Sequence, residues 1–375
     1  MMKSEYFEKK ADQSRLVLDE EKKTSTEKSD TGPKETKRTE EKIQYTERAE
    51  RPEEDTGGFT SRNASKEVPL EMIKGWYQEK PDHGLDEVVG MDDLKEEVRK
   101  VILDSIGWEK LEKKYKMPIL KSYMFYGPFG TGKTYFVEGL AKELMDRGFK
   151  FLKLDGTDLH GKYVGSGEKA LKAAFQEAID CAPSLLFFDE FDNVCVQRDS
   201  KTTEGHEKRL TNEFIQAFND LKSSNKMVIF MAATNYPDKI DGAMLSRILS
   251  FFLIPLPSEE MREKYFENNL RTIVLEEGVS YSYMADLTDN YSVRDLDKIA
   301  IAMKTELFDT AKSQFGIRDE NGVFILEESV KRVDEALSTG KVRLTKELFD
   351  RILEKNPPEK KDDILASLRA FEAKQ

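Results

Sequence analysis

The sequence predicts an α/β fold, a doubly wound parallel sheet of five strands followed by a smaller, mostly helical domain. Three observations carry this prediction. Across residues 85–257, short apolar runs bounded by Gly, Pro, Asp or Asn alternate with segments whose apolar residues recur at helical spacing. A glycine-rich break, "GPFGTGKT", separates the first of those runs from the helix that follows it. After Pro257 the strand-like runs stop, and helical patterns continue to the end of the chain. Strand–helix alternation of this kind implies right-handed crossovers and helices on both sheet faces.

Taken in order, residues 1–65 are rich in Lys, Glu, Ser and Thr with nearly balanced charge. Too little apolar surface is available there to offset chain entropy, so a disordered charged tail is expected. Within it, "YFEKKADQSRLVLDE" alone has the spacing of a short amphipathic helix. Residues 66–84 read as a linker, in which Trp76 and Tyr77 mark the onset of packing. The five expected strands are "SYMFYG", "KFLKLDG", "SLLFFDE", "MVIFMAAT" and "FFLIPLP", with helices such as "KTYFVEGLAKELMDRG" and "KALKAAFQEAIDCA" between them. Residues 258–375 supply the helical patterns "SEEMREKYFENNLRTI", "VRDLDKIAIAMKTELFDTAK", "LTKELFDRIL" and "DDILASLRAFEAK".

Composition narrows the function. The formal net charge of -12 leaves no broad basic surface for duplex nucleic acid. Cys181 and Cys195 are too few for a disulfide framework and read as buried free thiols. His83, His160 and His206 are scattered and suggest no metal site. The longest apolar runs fall far short of the ~20 residues needed to span a bilayer, and no apolar leader opens the sequence. A soluble, cytoplasmic protein is expected.

"GPFGTGKT", comprising Gly127, Pro128, Phe129, Gly130, Thr131, Gly132, Lys133 and Thr134, fits the phosphate-loop pattern G-x-x-x-x-G-K-[ST]. Backbone amides converge on an anion only where no side chain intervenes, and glycine accepts the positive φ such a loop requires. The helix that follows presents unsatisfied N–H groups to the same anion. This assigns Lys133 to the β and γ phosphates of a nucleotide and the Thr134 hydroxyl to the shell of Mg²⁺. "LLFFDEFD" supplies the acidic half, with Asp189 holding Mg²⁺ through water and Glu190 orienting and polarising the attacking water.

With these motifs in order, the sequence resembles the AAA ATPases, and most nearly the single-ring group of katanin, spastin and the ESCRT-disassembling ATPase. "LDEVVGMDDLKEEV" matches the segment that opens the family's ATPase domain, so the resemblance assigns backbone groups around Val89 and Gly90 to adenine. "MAATN" resembles sensor 1, which gives Asn235 the γ-phosphate or the attacking water. "YPDKIDGAMLSRILSFFLIPLP" is similar to the second region of homology. There Arg247 takes the place of an arginine finger acting across a boundary between protomers, or else forms an interfacial salt bridge. Ser246 and Ile248 depart from the family's paired arginines and following phenylalanine, and Phe129 replaces a proline. In "NYSVRDLDKI", Arg294 is either a sensor 2 arginine reaching the γ-phosphate or a surface arginine beside Asp297. The end of the chain follows the katanin–spastin pattern of short strand, helix, proline-containing bend and terminal helix.

The resemblance also implies a use for hydrolysis. In "LHGKYVGSGEKALKAAF", Tyr163 matches an aromatic that projects into the pore of a hexamer, flanked by Lys162 and Val164. Gripping of an extended polypeptide is the favoured reading; packing on its own domain and stacking on nucleic acid are the others. "QRDSKTTEGHEKR" is a second pore loop, either contacting substrate or simply solvated, and Arg198 and Arg209 are interfacial or structural. The implied protein is a homo-oligomeric ATP-hydrolysing motor, most often hexameric in this family. It would remodel, unfold or disassemble a protein substrate through the ring pore. The alternatives are a nucleotide-dependent scaffold or switch with weak hydrolysis and a nucleic-acid-associated loader.

Overall fold

A parallel sheet is built from β1 (Ser122–Tyr126), β2 (Lys150–Asp155), β3 (Ser184–Asp189), β4 (Val228–Thr234) and β5 (Ser250–Leu253) in the order β2-β3-β4-β1-β5. The computed structural model describes residues 68–108, 111, 114–115, 121–159, 166–196 and 205–373. All four strand pairings are parallel, with Tyr126 opposite Thr234 and Leu253, and Asp155 opposite Asp189. β1, β4 and the first five residues of β3 are buried on both faces, which is why they read as unbroken apolar runs.

Successive strand side chains point to opposite faces, so each run feeds two cores. Leu186 and Phe188 of β3 pack with α4 (Ser166–Asp180) and α5 (Gly205–Ser223), while Leu185 and Phe187 pack with α3 (Lys133–Met145). The first core is aromatic: the Phe214 ring meets those of Phe175, Phe188 and Phe191 edge-on, with centroids 5.0–5.2 Å apart. α2 (Asp92–Val98), continued by a wider turn to Leu103, closes the second core through Val98 and Ile102.

Part of the expected linker is structured. Leu70–Trp76 forms helix α1, with Ile73 and Trp76 buried in the first core. Tyr77 adds a bridge to Leu152 and donates a 2.5 Å hydrogen bond to Glu177. The apolar faces of Ile73 and Trp76 need a partner, and α4 supplies it from a hundred residues away. Both cysteines are free; Cys195 is buried, whereas Cys181 is only half-buried.

After a short α6 (Gly242–Leu245) and β5, the chain becomes helical. α7 (Glu259–Leu270), α8 (Tyr281–Asp286), α9 (Val293–Phe315), α10 (Leu326–Ser338) and α11 (Lys346–Lys355) share a core around Phe266, Leu296, Met303 and Phe349. α12 (Asp362–Glu372) leaves that core and returns to the sheet. Its Ile364, Leu368 and Phe371 cluster with Tyr126, and the Ser367 hydroxyl bonds to Asp238. No helix among the described residues is long and apolar enough to cross a membrane. Residues 1–65, Lys162, Tyr163, Val164 and Arg198 lie outside the described residues, as do the first two residues of the expected linker.

Candidate functional site

β1 ends at Tyr126 and α3 begins at Lys133, so the glycine-rich loop turns at the carboxyl edge of the sheet. At Gly127 a Cβ would stand 2.0 Å from the Ile254 carbonyl oxygen, so close approach to the chain after β5 demands glycine. Gly130 and Gly132 hold φ of +73° and +90°, the left-handed region that side chains disfavour. The Thr131 hydroxyl donates to Pro128 O at 2.9 Å and ties the loop to itself. The Lys133 ammonium, 7% exposed, folds back onto the carbonyls of Gly127 (3.1 Å) and Pro128 (2.7 Å).

β3 and β4 bring the polar half alongside. The Thr134 hydroxyl donates to Asp189 Oδ2 at 2.6 Å, and Asp189 Oδ1 accepts the Glu190 amide at 3.0 Å. Glu190 itself is left-handed (φ 47°, ψ 47°), and its carboxylate accepts from Asn193 at 3.0 Å. A Cβ on Gly156 would lie 2.5 Å from Glu190 O, so the glycine after β2 makes room for that turn. Desolvation pushes the Glu190 carboxyl above its ordinary range, with further push from Asp155, Asp189 and Asp192. Asp192 accepts from Thr234 Oγ1 at 2.6 Å, which in turn accepts the Tyr236 amide, fixing the chain on both sides of Asn235.

Residues of both halves line one cavity of about 900 Å³. Its floor is Phe129 to Thr134 with Asp189, Glu190 and Asn235; Val89 and Met91 line it ahead of the sheet. The helical region covers the other side with Met261, Tyr265 and Asn269, spaced i, i+4, i+8 along one face of α7, and with Arg294 and Asp297 of α9. Gly90 (φ +67°) comes so close to Met261 that a Cβ would lie 2.4 Å from its Cγ. Arg294 touches the loop directly: its amide donates to Gly130 O at 3.1 Å. Sequence reasoning did not assign Met261, Tyr265, Asn269 or Asp192; the α7 spacing was visible, but not which face would meet a cavity.

Arg247 does not join this cavity. Its carbonyl accepts from Ser122 at the start of β1, and its guanidinium bonds to Ala243 O (2.5 Å) and Asn219 Oδ1 (3.3 Å). The phosphate loop leaves the other end of β1, roughly 15 Å away along the strand. Arg209 lies 3.7 Å from Glu168 and is well exposed.

Burial pushes the Lys133 ammonium from its ordinary 10.5 down to about 8; Asp189 and Asp192 oppose the shift, and Arg294 adds to it. Between those two values the unfolded chain holds more protons than the folded one, so stability rises with pH there. The penalty is full below about pH 8 and gone above the unfolded value. Relative to Lys133→Met, the parent therefore gains about 3 kcal/mol between about pH 7 and about pH 11, which denaturant melts of the nucleotide-free proteins measure.

A parallel sheet with a glycine-rich loop after its first strand, a carboxylate pair after its third and a covering helical region is the α/β architecture of the P-loop NTPases. Residues 123–256 match the ATPase family associated with various cellular activities (AAA). It is 29% identical over 268 residues to the proteasome-activating nucleotidase of Methanothermobacter thermautotrophicus, covering 70% of this chain and 62% of that one. It is also 29% identical over 249 residues to a katanin-like p60 ATPase-containing protein of Xenopus tropicalis, covering 64% and 45% respectively. The FIGL-1 AAA domain, a crystal structure in complex with ADP, superposes with a TM-score of 0.62 at 20% identity over 81% of this chain and 96% of that one. The chain spans less than two thirds of the length of the curated relatives it matches.

Proposed function

We propose that the protein hydrolyses ATP at a seam between copies of itself and uses the cycle to remodel, unfold or disassemble a protein substrate. The carrying observation is the single cavity that joins the loop amides, Lys133, the Thr134–Asp189 pair, Glu190, Asn235 and the Arg294 end of α9. Adenine sits beside Val89 and Gly90, and the triphosphate lies along residues 127–134 over the start of α3. Lys133 releases its loop carbonyls to meet the β and γ phosphates. Thr134 and Asp189 offer two hard oxygen donors 2.6 Å apart, a set that suits Mg²⁺ completed by water and phosphate. Mg²⁺ supplies charge neutralisation between the phosphates when bound. Glu190 accepts a proton from the attacking water, Asn235 holds that water or the γ-phosphate, and Arg294 reaches the γ-phosphate from the lid.

Arg247 acts on a neighbour, since its own cavity lies at the opposite end of β1. A ring of head-to-tail copies, six by family analogy, places one protomer's Arg247 at the next protomer's phosphate. Lys162, Tyr163 and Val164 then grip an extended polypeptide in the pore, in a soluble, cytoplasmic motor. A nucleotide-dependent switch with weak hydrolysis is the second reading, favoured by the two hydrogen bonds that keep Arg247 on its own helices.

Steady-state hydrolysis per protomer against protein concentration separates them, with and without unfolded protein or DNA. The motor gives a rate that rises with concentration and with unfolded protein. Stimulation by DNA alone ends the protein-remodelling reading, and rates matching Lys133→Ala favour the switch.

A further inference from the structure

We propose that Lys361 is a positioning residue for nucleotide binding, holding the start of α9 against the phosphate loop through Asp295 and Phe129. The inference rests on the nucleotide-site reading above and extends it to a residue far from any motif.

Lysine is almost never buried without a partner. Lys361 immediately precedes α12, yet it is 6% exposed. Its ammonium lies 2.9 Å from Asp295 Oδ2, donates to the carbonyls of Glu359 (3.0 Å) and Asn290 (3.4 Å), and stands 5.6 Å from the centre of the Phe129 ring. One cation thus touches the start of the terminal helix, the turn before α9 and the phosphate loop.

Asp295 shows why that matters. Its Oδ2 accepts both the amide (3.0 Å) and the hydroxyl (2.7 Å) of Ser292, and its own amide donates to Ser292 Oγ, a reciprocal box that starts α9. This box sits on the loop: a Cβ on Gly130 would lie 2.7 Å from Ser292 Oγ, and the Arg294 amide donates to Gly130 O. The Asp295 side chain is 3% exposed, so its charge needs a buried counterion. The second cation near it, Lys298, is 3.8 Å away, half exposed and drawn to Glu359. Without Lys361, the carboxylate that shapes the box is left largely uncompensated. The box then shifts, and Arg294 and Gly130 lose the alignment that closes the cavity.

The test is equilibrium titration of the full chain with a fluorescent ATP analogue, well below the melting temperature. Lys361→Met is expected to weaken binding at least about tenfold, and Lys361→Arg to restore it to within about threefold. Asp295→Asn with Lys361→Met leaves no buried charge and is expected to bind about threefold to fivefold more weakly than the parent, tighter than Lys361→Met alone. A folded Lys361→Met that binds within about twofold of the parent while melting earlier overturns the proposal, because the lysine is then only structural. If Lys361→Met does not fold, the double variant decides, and parent-like binding by it overturns the proposal equally. A folded parent that does not bind the analogue removes the nucleotide reading itself, and this inference with it.

Discussion

Glu190→Gln is expected to hold ATP at least as tightly as the parent but to turn it over about 10²–10⁴-fold more slowly. The amide keeps the shape of the side chain and its contact with Asn193, but it cannot take a proton from water. Binding survives because Thr134 and Asp189 are untouched. It strengthens because Glu190 shares its surroundings with Asp155, Asp189 and Asp192, and neutralising one of four carboxylates favours a polyanion. Lys133→Ala is expected to give the contrasting result, since it removes the cation proposed to meet the phosphates and so abolishes binding and turnover together. Single-turnover hydrolysis and equilibrium binding on the two variants separate these effects. On the proposed function, the Glu190→Gln protein is also expected to retain an engaged client, which mass spectrometry of the captured complex would identify. A Glu190→Gln rate within about twofold of the parent removes Glu190 as the base.

Half of this site is legible in the sequence for a topological reason. Lys133 and Thr134 follow β1 across the glycine-rich loop, and Asp189, Glu190 and Asn235 stand at or just past the ends of β3 and β4, each strand marked by an apolar run. The order β3-β4-β1 then sets the ends of those strands side by side, so three separate local patterns converge without any long-range guess. The covering half is not legible. α7 reads as a helix, but whether Met261, Tyr265 and Asn269 face a cavity or solvent depends on how the helical region leans over the sheet. Its terminal helix joins the same class: Ile364, Leu368 and Phe371 form an apolar stripe in either case, and only the fold shows that it covers Tyr126 and Phe251 rather than the helical core.

Buried charge is the other blind spot. A lysine in "NPPEKKDD" reads as solvated, because burial is decided by Asp295, 66 residues earlier in the chain. α1 escaped for a similar reason. A seven-residue stretch containing Gly75 has little helical propensity, and the docking of Ile73 and Trp76 into the sheet's aromatic core stabilises it instead. What the sequence reveals is thus what local chemistry determines; what it hides is settled by partners far along the chain.

Arg247→Ala lowers turnover about 10³-fold or more while leaving ATP binding close to that of the parent. The reason is geometric. The Arg247 carbonyl is tied to the first residue of β1, and its guanidinium is bonded to Ala243 and Asn219. The phosphate loop follows the last residue of β1, so the guanidinium stands away from the triphosphate site of its own chain. If it stabilises the transition state, it does so from next door. Complementation follows from that arrangement. Glu190→Gln and Arg247→Ala are each inactive alone, yet a seam with Glu190 from an Arg247→Ala protomer and Arg247 from a Glu190→Gln protomer contains both groups. Random mixing in equal amounts makes about a quarter of the seams intact, because each seam is head-to-tail and its two sides are chosen independently. A mixture that recovers a rate near that fraction of the parent's, and loses it on dilution, establishes catalysis shared between protomers. A mixture that merely averages its two components shows instead that Arg247 works within its own chain, bonded to Ala243 and Asn219 as a structural residue.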